Sequence, residues 1–178
     1  MLKQSTNPTK TKQSLLKSTA LALLLCTAHG FALDADKDED FLLEGDNFKN
    51  LPEVVKGETK IKYWGHVVIG QGSLKIESSE AVIYSNKEGV SKVILTGQPV
   101  KMEKLIDKEF GKINVIANKI DYRVLKDELL MTGDVIIKSK VQGEMSGEKI
   151  TMNLKTKEIR GEKSSNKRVK LVIKAKSK

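Results

Sequence analysis

The chain has 178 residues, a length that suits one domain, and it carries a formal net charge of +9. Its single cysteine excludes a scaffold held together by intrachain disulfides. The basic charge predicts an anionic partner, or else a lysine-rich surface that serves only solubility.

Residues 1–32 have the pattern of a secretory signal peptide. Four lysines precede an apolar run from Thr19 to Ala28, and Gly30-Phe31-Ala32 places small residues at the two positions that a signal peptidase recognises. The apolar run is about half the ~20 residues needed to span a bilayer. We therefore predict export with cleavage after Ala32, which also removes Cys26; a retained membrane anchor is the alternative.

The next segment, residues 33–48, is strongly acidic. Seven acids lie between Asp34 and Asp46 and only Lys37 opposes them, which is typical of a flexible linker. From Asn47 onward the chain has 27 basic and 16 acidic residues, a net charge of +11. The sequence thus predicts an acidic flexible linker over residues 33–48 and a basic domain over residues 49–178.

From Ile61 onward, apolar and polar residues alternate in short runs, as in Leu74-Lys75-Ile76 and Ile113-Asn114-Val115. Alternation with a period of two is typical of strands that bury one face. After the first 32 residues, no stretch shows the i, i+3, i+4, i+7 apolar spacing of a helix. The sequence therefore predicts an all-β domain of short strands joined by turns.

An internal repeat accompanies the alternation. The segment Gly65-His66-Val67-Val68-Ile69 matches Gly133-Asp134-Val135-Ile136-Ile137 at an offset of 68 positions, and the same offset relates Ser78 to Ser146. Units of two or three strands that cannot bury their own apolar face are expected to stack into a continuous sheet. Chance similarity among alternating strands is the alternative.

One face of this sheet can be assigned by parity, because alternate residues of a strand point to the same side. Parity assigns Val82 and Tyr84 to the apolar face. It also assigns ten residues that form a candidate lipid-binding groove: Val67, Ile69, Leu74, Ile76, Met102, Val115, Tyr122, Val124, Val135 and Ile137. Such an aliphatic face is typical of an ordinary sandwich core, and it also suits a slot for flexible acyl chains.

The residues needed for catalysis or metal binding are scarce. After the leader, His66 is the only histidine and no cysteine remains, so a zinc site of the usual type cannot be built. No nucleophile elbow, P-loop or dinucleotide-binding motif occurs. We predict that the protein is not an enzyme and binds no metal or cofactor; a hydrolase that uses paired carboxylates is the alternative.

The last strand candidate, from Arg168 to Lys174, is rich in β-branched residues and lacks proline. Its alternate residues Val169, Leu171 and Ile173 form a candidate partner-docking edge. From Lys163 to the C-terminus there are seven basic residues and no acid, which protects the edge from stacking between copies. A closing strand with a solvated basic tail is the alternative.

Three segments together resemble the LptA family of periplasmic lipopolysaccharide-transport bridge proteins, whose domain is called OstA-like. They are the segment from Ala117 to Val135, the segment Gly65-His66-Val67-Val68-Ile69 with Gly72, and the turn Gly147-Glu148-Lys149-Ile150-Thr151. The resemblance extends over residues 63–161. It implies a twisted, half-open jelly roll of about sixteen short antiparallel strands with an apolar groove along its length.

The resemblance also implies a function in outer-membrane assembly. A periplasmic protein of this family carries lipopolysaccharide from the inner to the outer membrane, and its lipid-contacting positions correspond to Met102, Tyr122 and Val124. An LptC-like inner-membrane protein is implied at the N-terminal edge and an LptD-like outer-membrane protein at the C-terminal edge, with head-to-tail homo-oligomers possible. Nucleic acid is not an expected partner. A structural envelope β-module that assembles proteins without carrying lipid is the alternative.

Overall fold

The computed structural model of the chain describes residues 39–55, 57–164 and 167–173. The predicted signal peptide over residues 1–32 and the first part of the predicted linker lie outside the described residues. The described chain forms strands and one 3-10 turn, Val124–Lys126. The strands are β1 Leu42–Glu44, β2 Asn47–Val55, β3 Glu58–Gln71, β4 Leu74–Asn86, β5 Gly89–Asp107, β6 Gly111–Arg123, β7 Glu128–Ser139, β8 Gly143–Asn153, β9 Ile159–Glu162 and β10 Lys170–Val172.

The predicted fold class is confirmed: one open antiparallel sheet contains all ten strands. The predicted number of about sixteen short strands is too high for the described residues. Several strands are long, and β5 alone has 19 residues. Gly65, Gly97 and Gly133 lie inside continuous strands, because the backbone bends there without leaving the sheet.

The acidic segment also differs from its prediction. Leu42–Glu44 pairs with Val68–Gly70 of β3, and Leu43 packs against the core. Residues 42–44 and 47–48, predicted as linker, are therefore parts of strands. The many acidic residues of this segment outweigh its few apolar side chains in the sequence pattern. The backbone of residues 42–44 pairs with the edge of β3.

Both ends of the sheet have a divided edge. At the N-terminal end, β2 pairs with the first half of β3 and β1 pairs with its second half. At the C-terminal end, β9 pairs with one half of β8 and β10 with the other. The central strands β4 to β7 follow in chain order between these edges. The sheet does not close on itself within the described residues.

A line of register shifts crosses the central strands. The shifts fall between Trp64 and Val67, Glu77 and Glu80, Thr96 and Val100, Ile116 and Lys119, and Thr132 and Val135. Bulges bend strands, and aligned bulges bend the whole sheet along one line, which we call the crease.

The bend brings opposite ends of the strands together. Strand pairing places four residues side by side across the sheet: Lys92, Arg123, Glu128 and Asn153. Asp107 lies at the other end of β5. A straight strand from Lys92 to Asp107 would span about 50 Å. Yet Lys157, in the turn just after Asn153, forms an ion pair with Asp107. The two halves of the sheet are thus folded over each other.

The internal repeat corresponds to two equivalent points on the crease. Gly65 and His66 have positive φ angles of 77° and 43°, and Gly133 and Asp134 have values of 79° and 48°. In both cases a side chain from another part of the chain lies directly over the glycine: Asp46, between β1 and β2, in the first and Asn118, in β6, in the second. The residue after the glycine then bonds that side chain, with His66 Nδ1 at 2.8 Å from Asp46 Oδ2 and Asn118 Nδ2 at 3.5 Å from Asp134 Oδ2.

The apolar core lies between the two halves. Among the described residues it contains 24 buried hydrophobic side chains, which lie in β3 to β8, in the turn between β5 and β6 and, at Leu154, just after β8. The parity assignment of Val82 and Tyr84 is wrong, because Ala81 and Ile83 are the buried residues on that part of β4. The register shift at Ser78-Ser79 reverses the alternation in β4, so that the residues of this strand before and after the crease follow opposite parity.

Candidate lipid-binding face and docking edges

Nine of the ten residues predicted to line a groove share one continuous inner face. They are at most 4 % exposed: Val67, Ile69, Leu74, Ile76, Met102, Val115, Tyr122, Val135 and Ile137. The tenth, Val124, lies in the 3-10 turn and packs against the core from its margin. The structure brings all ten together, and their contact with lipid stays a prediction.

This face extends to both edges of the sheet, where it is only partly covered. Phe41, Leu43 and Tyr63 are half-buried at the N-terminal edge, and Met145 and Ile159 at the C-terminal edge. A second sheet placed against either edge would continue the same apolar interior. The alternation predicted the central part of this face, while the N-terminal part was hidden within the acidic segment.

Two buried charged residues were missed by the sequence analysis. Lys104 is 5 % exposed and Asp127 is 7 % exposed, and each has an interaction partner. Lys104 shares the parity of Met102 and Ile106 on β5, so the alternation contained a signal for it. Asp127 has a positive φ of 52° at the end of the 3-10 turn, and no pattern in the sequence marks that conformation.

The three residues of the predicted C-terminal docking edge are exposed. Val169, Leu171 and Ile173 are 41 %, 54 % and 70 % exposed. β10 pairs with β8 through Leu171 opposite Met145, and no described strand lies on its other side. Val169 lies over Gly161, where an added Cβ would come within 2.6 Å of it. A few contacts thus hold β10 at the C-terminal edge, and the backbone N–H and C=O groups on its outer side pair with no described strand.

The N-terminal edge presents aromatic side chains. Phe48 on β2 is 67 % exposed and stacks on Tyr63 with ring centroids 5.7 Å apart. Leu42 and Trp64 are also exposed there. Exposed apolar residues therefore cluster at both ends of the open sheet, which is typical of interaction surfaces.

The outer face of the sheet carries charged side chains that form ion pairs and cation–π contacts. Lys62 binds Glu80 at 2.7 Å, and Lys60 and Lys92 lie over the ring of Tyr84 at 5.4 and 4.0 Å. Near β10, a hydrogen bond from Lys167 lowers the pKa of Asp134 below its usual value. These lysines thus lie on the outer surface and near β10, away from the apolar face, in contrast to the buried Lys104.

Neither metal ligands nor a membrane-spanning helix were found in the part of the chain that the structure describes. No three His, Cys, Asp or Glu side chains gather there in a group that could hold a metal ion. No helix there is long and apolar enough to cross a bilayer.

Comparison with known proteins assigns the family. The sequence profile described as "LptA/(LptD N-terminal domain) LPS transport protein" matches residues 52–158. The crystal structure of LptH, from Pseudomonas aeruginosa, is similar with a TM-score of 0.69 and 19 % sequence identity, over 79 % of this chain and 99 % of that one. No curated protein sequence matches the chain. The profile covers more than half of the chain, which therefore belongs to the LptA/LptD N-terminal domain family of LPS transport proteins.

Proposed function

We propose that the protein binds lipopolysaccharide in the periplasm and carries it, without catalysing a reaction, from the inner towards the outer membrane. The observation that carries this proposal is the apolar inner face, which reaches both open edges of the sheet. Family membership supports the same function. LptH, which shares the fold, is described as a periplasmic component of a lipopolysaccharide transport device.

The chemistry of the inner face suits acyl chains. Apart from Tyr122 and Phe110, its buried hydrophobic residues are aliphatic side chains and methionines, which repack readily around flexible chains. Burial of each methylene contributes about 0.8 kcal/mol, so several chains together offset the cost of ordering them. The phosphates and acidic sugars of the lipid would remain outside, where the basic surface lies.

The open edges suit partners that add strands. An edge strand offers unpaired N–H and C=O groups to a neighbouring chain. We propose that an LptC-like protein pairs with the N-terminal edge at β1 and β2, and that an LptD-like protein pairs with the C-terminal edge at β10. Head-to-tail contact between copies would use the same two edges and extend the apolar interior.

Lipid extraction tests this function against the alternative of a structural module that carries no lipid. The protein is purified from a periplasmic extract, extracted with organic solvent and analysed by mass spectrometry. We expect lipid A fragments in amounts comparable to the protein. Protein that carries no lipid, even after incubation with purified lipopolysaccharide, would favour the structural module.

Photo-cross-linking tests which face binds the lipid. A photoreactive residue in place of Tyr122, which is on the inner face, should label lipopolysaccharide, whereas the same residue in place of Arg123 should not. The two positions are adjacent in β6 but point to opposite faces. Labelled products are detected on gels with antibody to the lipid, and equal labelling at both positions contradicts the assigned face.

The predicted export has its own test. The mature protein from a periplasmic extract should begin with Leu33-Asp34-Ala35, because the signal peptidase recognises Gly30-Phe31-Ala32. N-terminal sequencing measures this directly. A protein that stays in the cytoplasm and retains residues 1–32 contradicts the proposed location.

A further inference from the structure

The two folded halves of the sheet meet at two turns that lie far apart along the strands. The upper turn, residues 108–110, joins β5 to β6. The lower turn, residues 154–158, joins β8 to β9. Their meeting point is one side of the apolar interior, because Ile106 and Phe110 beside the upper turn and Leu154 in the lower turn are all buried.

The upper turn is a well-connected unit. Asp107 Oδ1 accepts hydrogen bonds from the backbone N–H groups of Glu109 and Phe110. Ser139 Oγ, at the end of β7, donates to the carbonyl oxygen of Phe110 at 3.2 Å. Asp107 is thus held in place by its own turn, and its second oxygen, Oδ2, points to the other half of the sheet.

The lower turn is equally well connected. The Asn153 N–H donates to Glu158 O at 2.9 Å, and the Leu154 N–H donates to Asp127 O at 2.7 Å. Asn153 Nδ2 also donates to Lys126 O at 3.3 Å. These bonds join the lower turn to the 3-10 turn before β7, so that Asp127 and Lys157 belong to one unit.

An ion pair joins the two units where they meet. Lys157 Nζ bonds Asp107 Oδ2, and Lys157 presents its side chain from a backbone with a positive φ of 63°. The hydrogen bond from Lys157 lowers the pKa of Asp107, and that of Lys157 is raised by the same bond. Each unit also has a buried charged residue close to it: Lys104 lies in β5 just before the upper turn, and Asp127 belongs to the unit of the lower turn.

We propose that these two turns separate to open a lateral mouth through which acyl chains of a phosphorylated lipid enter the apolar interior, and that the Asp107–Lys157 pair is its latch. The inference rests on the proposed function. A partly exposed ion pair contributes little to stability, which suits a contact that opens and closes while the two hydrogen-bonded units remain intact. Entry from the side requires this ion pair to break and the buried side chains of Ile106, Phe110 and Leu154 to separate, whereas the strands keep their backbone hydrogen bonds.

Hydrogen–deuterium exchange without lipid tests the latch. Lys157→Gln and Asp107→Asn in the mature chain should each speed exchange in residues 105–111 and 153–158 by about two- to fivefold, as expected for loss of one such pair. The amide oxygen that Asp107→Asn introduces would still accept the two backbone hydrogen bonds of the upper turn. Lys155→Gln, the matched control in the lower turn, should leave exchange unchanged.

A double variant separates the latch from unrelated effects. Because both side chains act through one contact, the double variant Asp107→Asn with Lys157→Gln should exchange no faster than either single one. If the two single variants have additive effects on the exchange rate, or if no variant changes that rate, the latch is contradicted regardless of the result for lipid uptake. Thermal unfolding checks that each variant remains folded.

Lipid uptake tests the mouth. Purified radiolabelled lipopolysaccharide is offered in detergent micelles, and its rate of association with the protein is measured. Lys157→Gln should raise the rate by about two- to fivefold, by the same argument, and Lys155→Gln should not. Faster exchange with unchanged uptake overturns the entry route and leaves the proposed function intact. Wild-type protein that takes up no lipid overturns both the proposed function and the entry route. This result is distinguishable from faster exchange with unchanged uptake, which overturns the entry route alone.

Discussion

Proline in β10 is expected to abolish association with the outer-membrane partner while the domain stays folded. Backbone N–H groups point alternately to the two sides of a strand, so of Leu171 and Val172 one donates towards β8 and the other towards the free side. Leu171→Pro and Val172→Pro are therefore both made. The one on the free side removes a donor that a partner strand needs, and a pull-down with the LptD-like partner should lose the complex.

Controls distinguish strand pairing from side-chain contact. Leu171→Ala removes the apolar side chain but keeps the N–H group, so it should weaken the complex less than the decisive proline. Circular dichroism and lipid binding should match the wild-type protein, since β10 is exposed and pairs through only three residues. Undiminished association with both proline variants would place the docking edge elsewhere, and loss of β-structure in both would show that β10 is needed for folding.

Substitution of Gly133 by alanine is expected to cause a large loss of stability. The positive φ of 79° costs an alanine about 1–2 kcal/mol. An added Cβ would also lie 2.7 Å from Asn118 Nδ2 and 2.8 Å from Asn118 Cβ, and such overpacking costs about 1–3 kcal/mol more. Denaturant unfolding followed by circular dichroism measures the sum as a change in the free energy of unfolding.

Gly57 provides a matched control for this prediction. It has the same φ of 79°, but an added Cβ meets nothing within 4 Å. Gly57→Ala should therefore show only the backbone cost of about 1–2 kcal/mol. Adding Asn118→Gly to Gly133→Ala should recover part of the loss, because it removes the atoms that clash. Equal losses for Gly57→Ala and Gly133→Ala would mean that the crease relaxes to accept the extra carbon.

The repeat shows how far a local pattern can reveal a tertiary feature. Gly65-His66 and Gly133-Asp134 are recognisable as equivalent points from the amino-acid sequence alone, because each needs a glycine where the strand bends. The side chains above them, Asp46 and Asn118, are not recognisable in that way. Asp46 comes from the connection between β1 and β2 and Asn118 from β6, and a sequence pattern within one strand contains no information about which other segment packs over it.

The sequence by itself determined the all-β class, most of the inner face and the exposed C-terminal strand, because alternation and turn residues are local properties of the chain. The tertiary structure decided the rest. A bulge at Ser78-Ser79 reversed the parity of β4, so that Ala81 and Ile83 rather than Val82 and Tyr84 face the core. Folding along the crease brought Asp107 to Lys157 from opposite ends of the strands. Both depend on how neighbouring strands pair and bend together, and a period of two within one strand does not encode that arrangement.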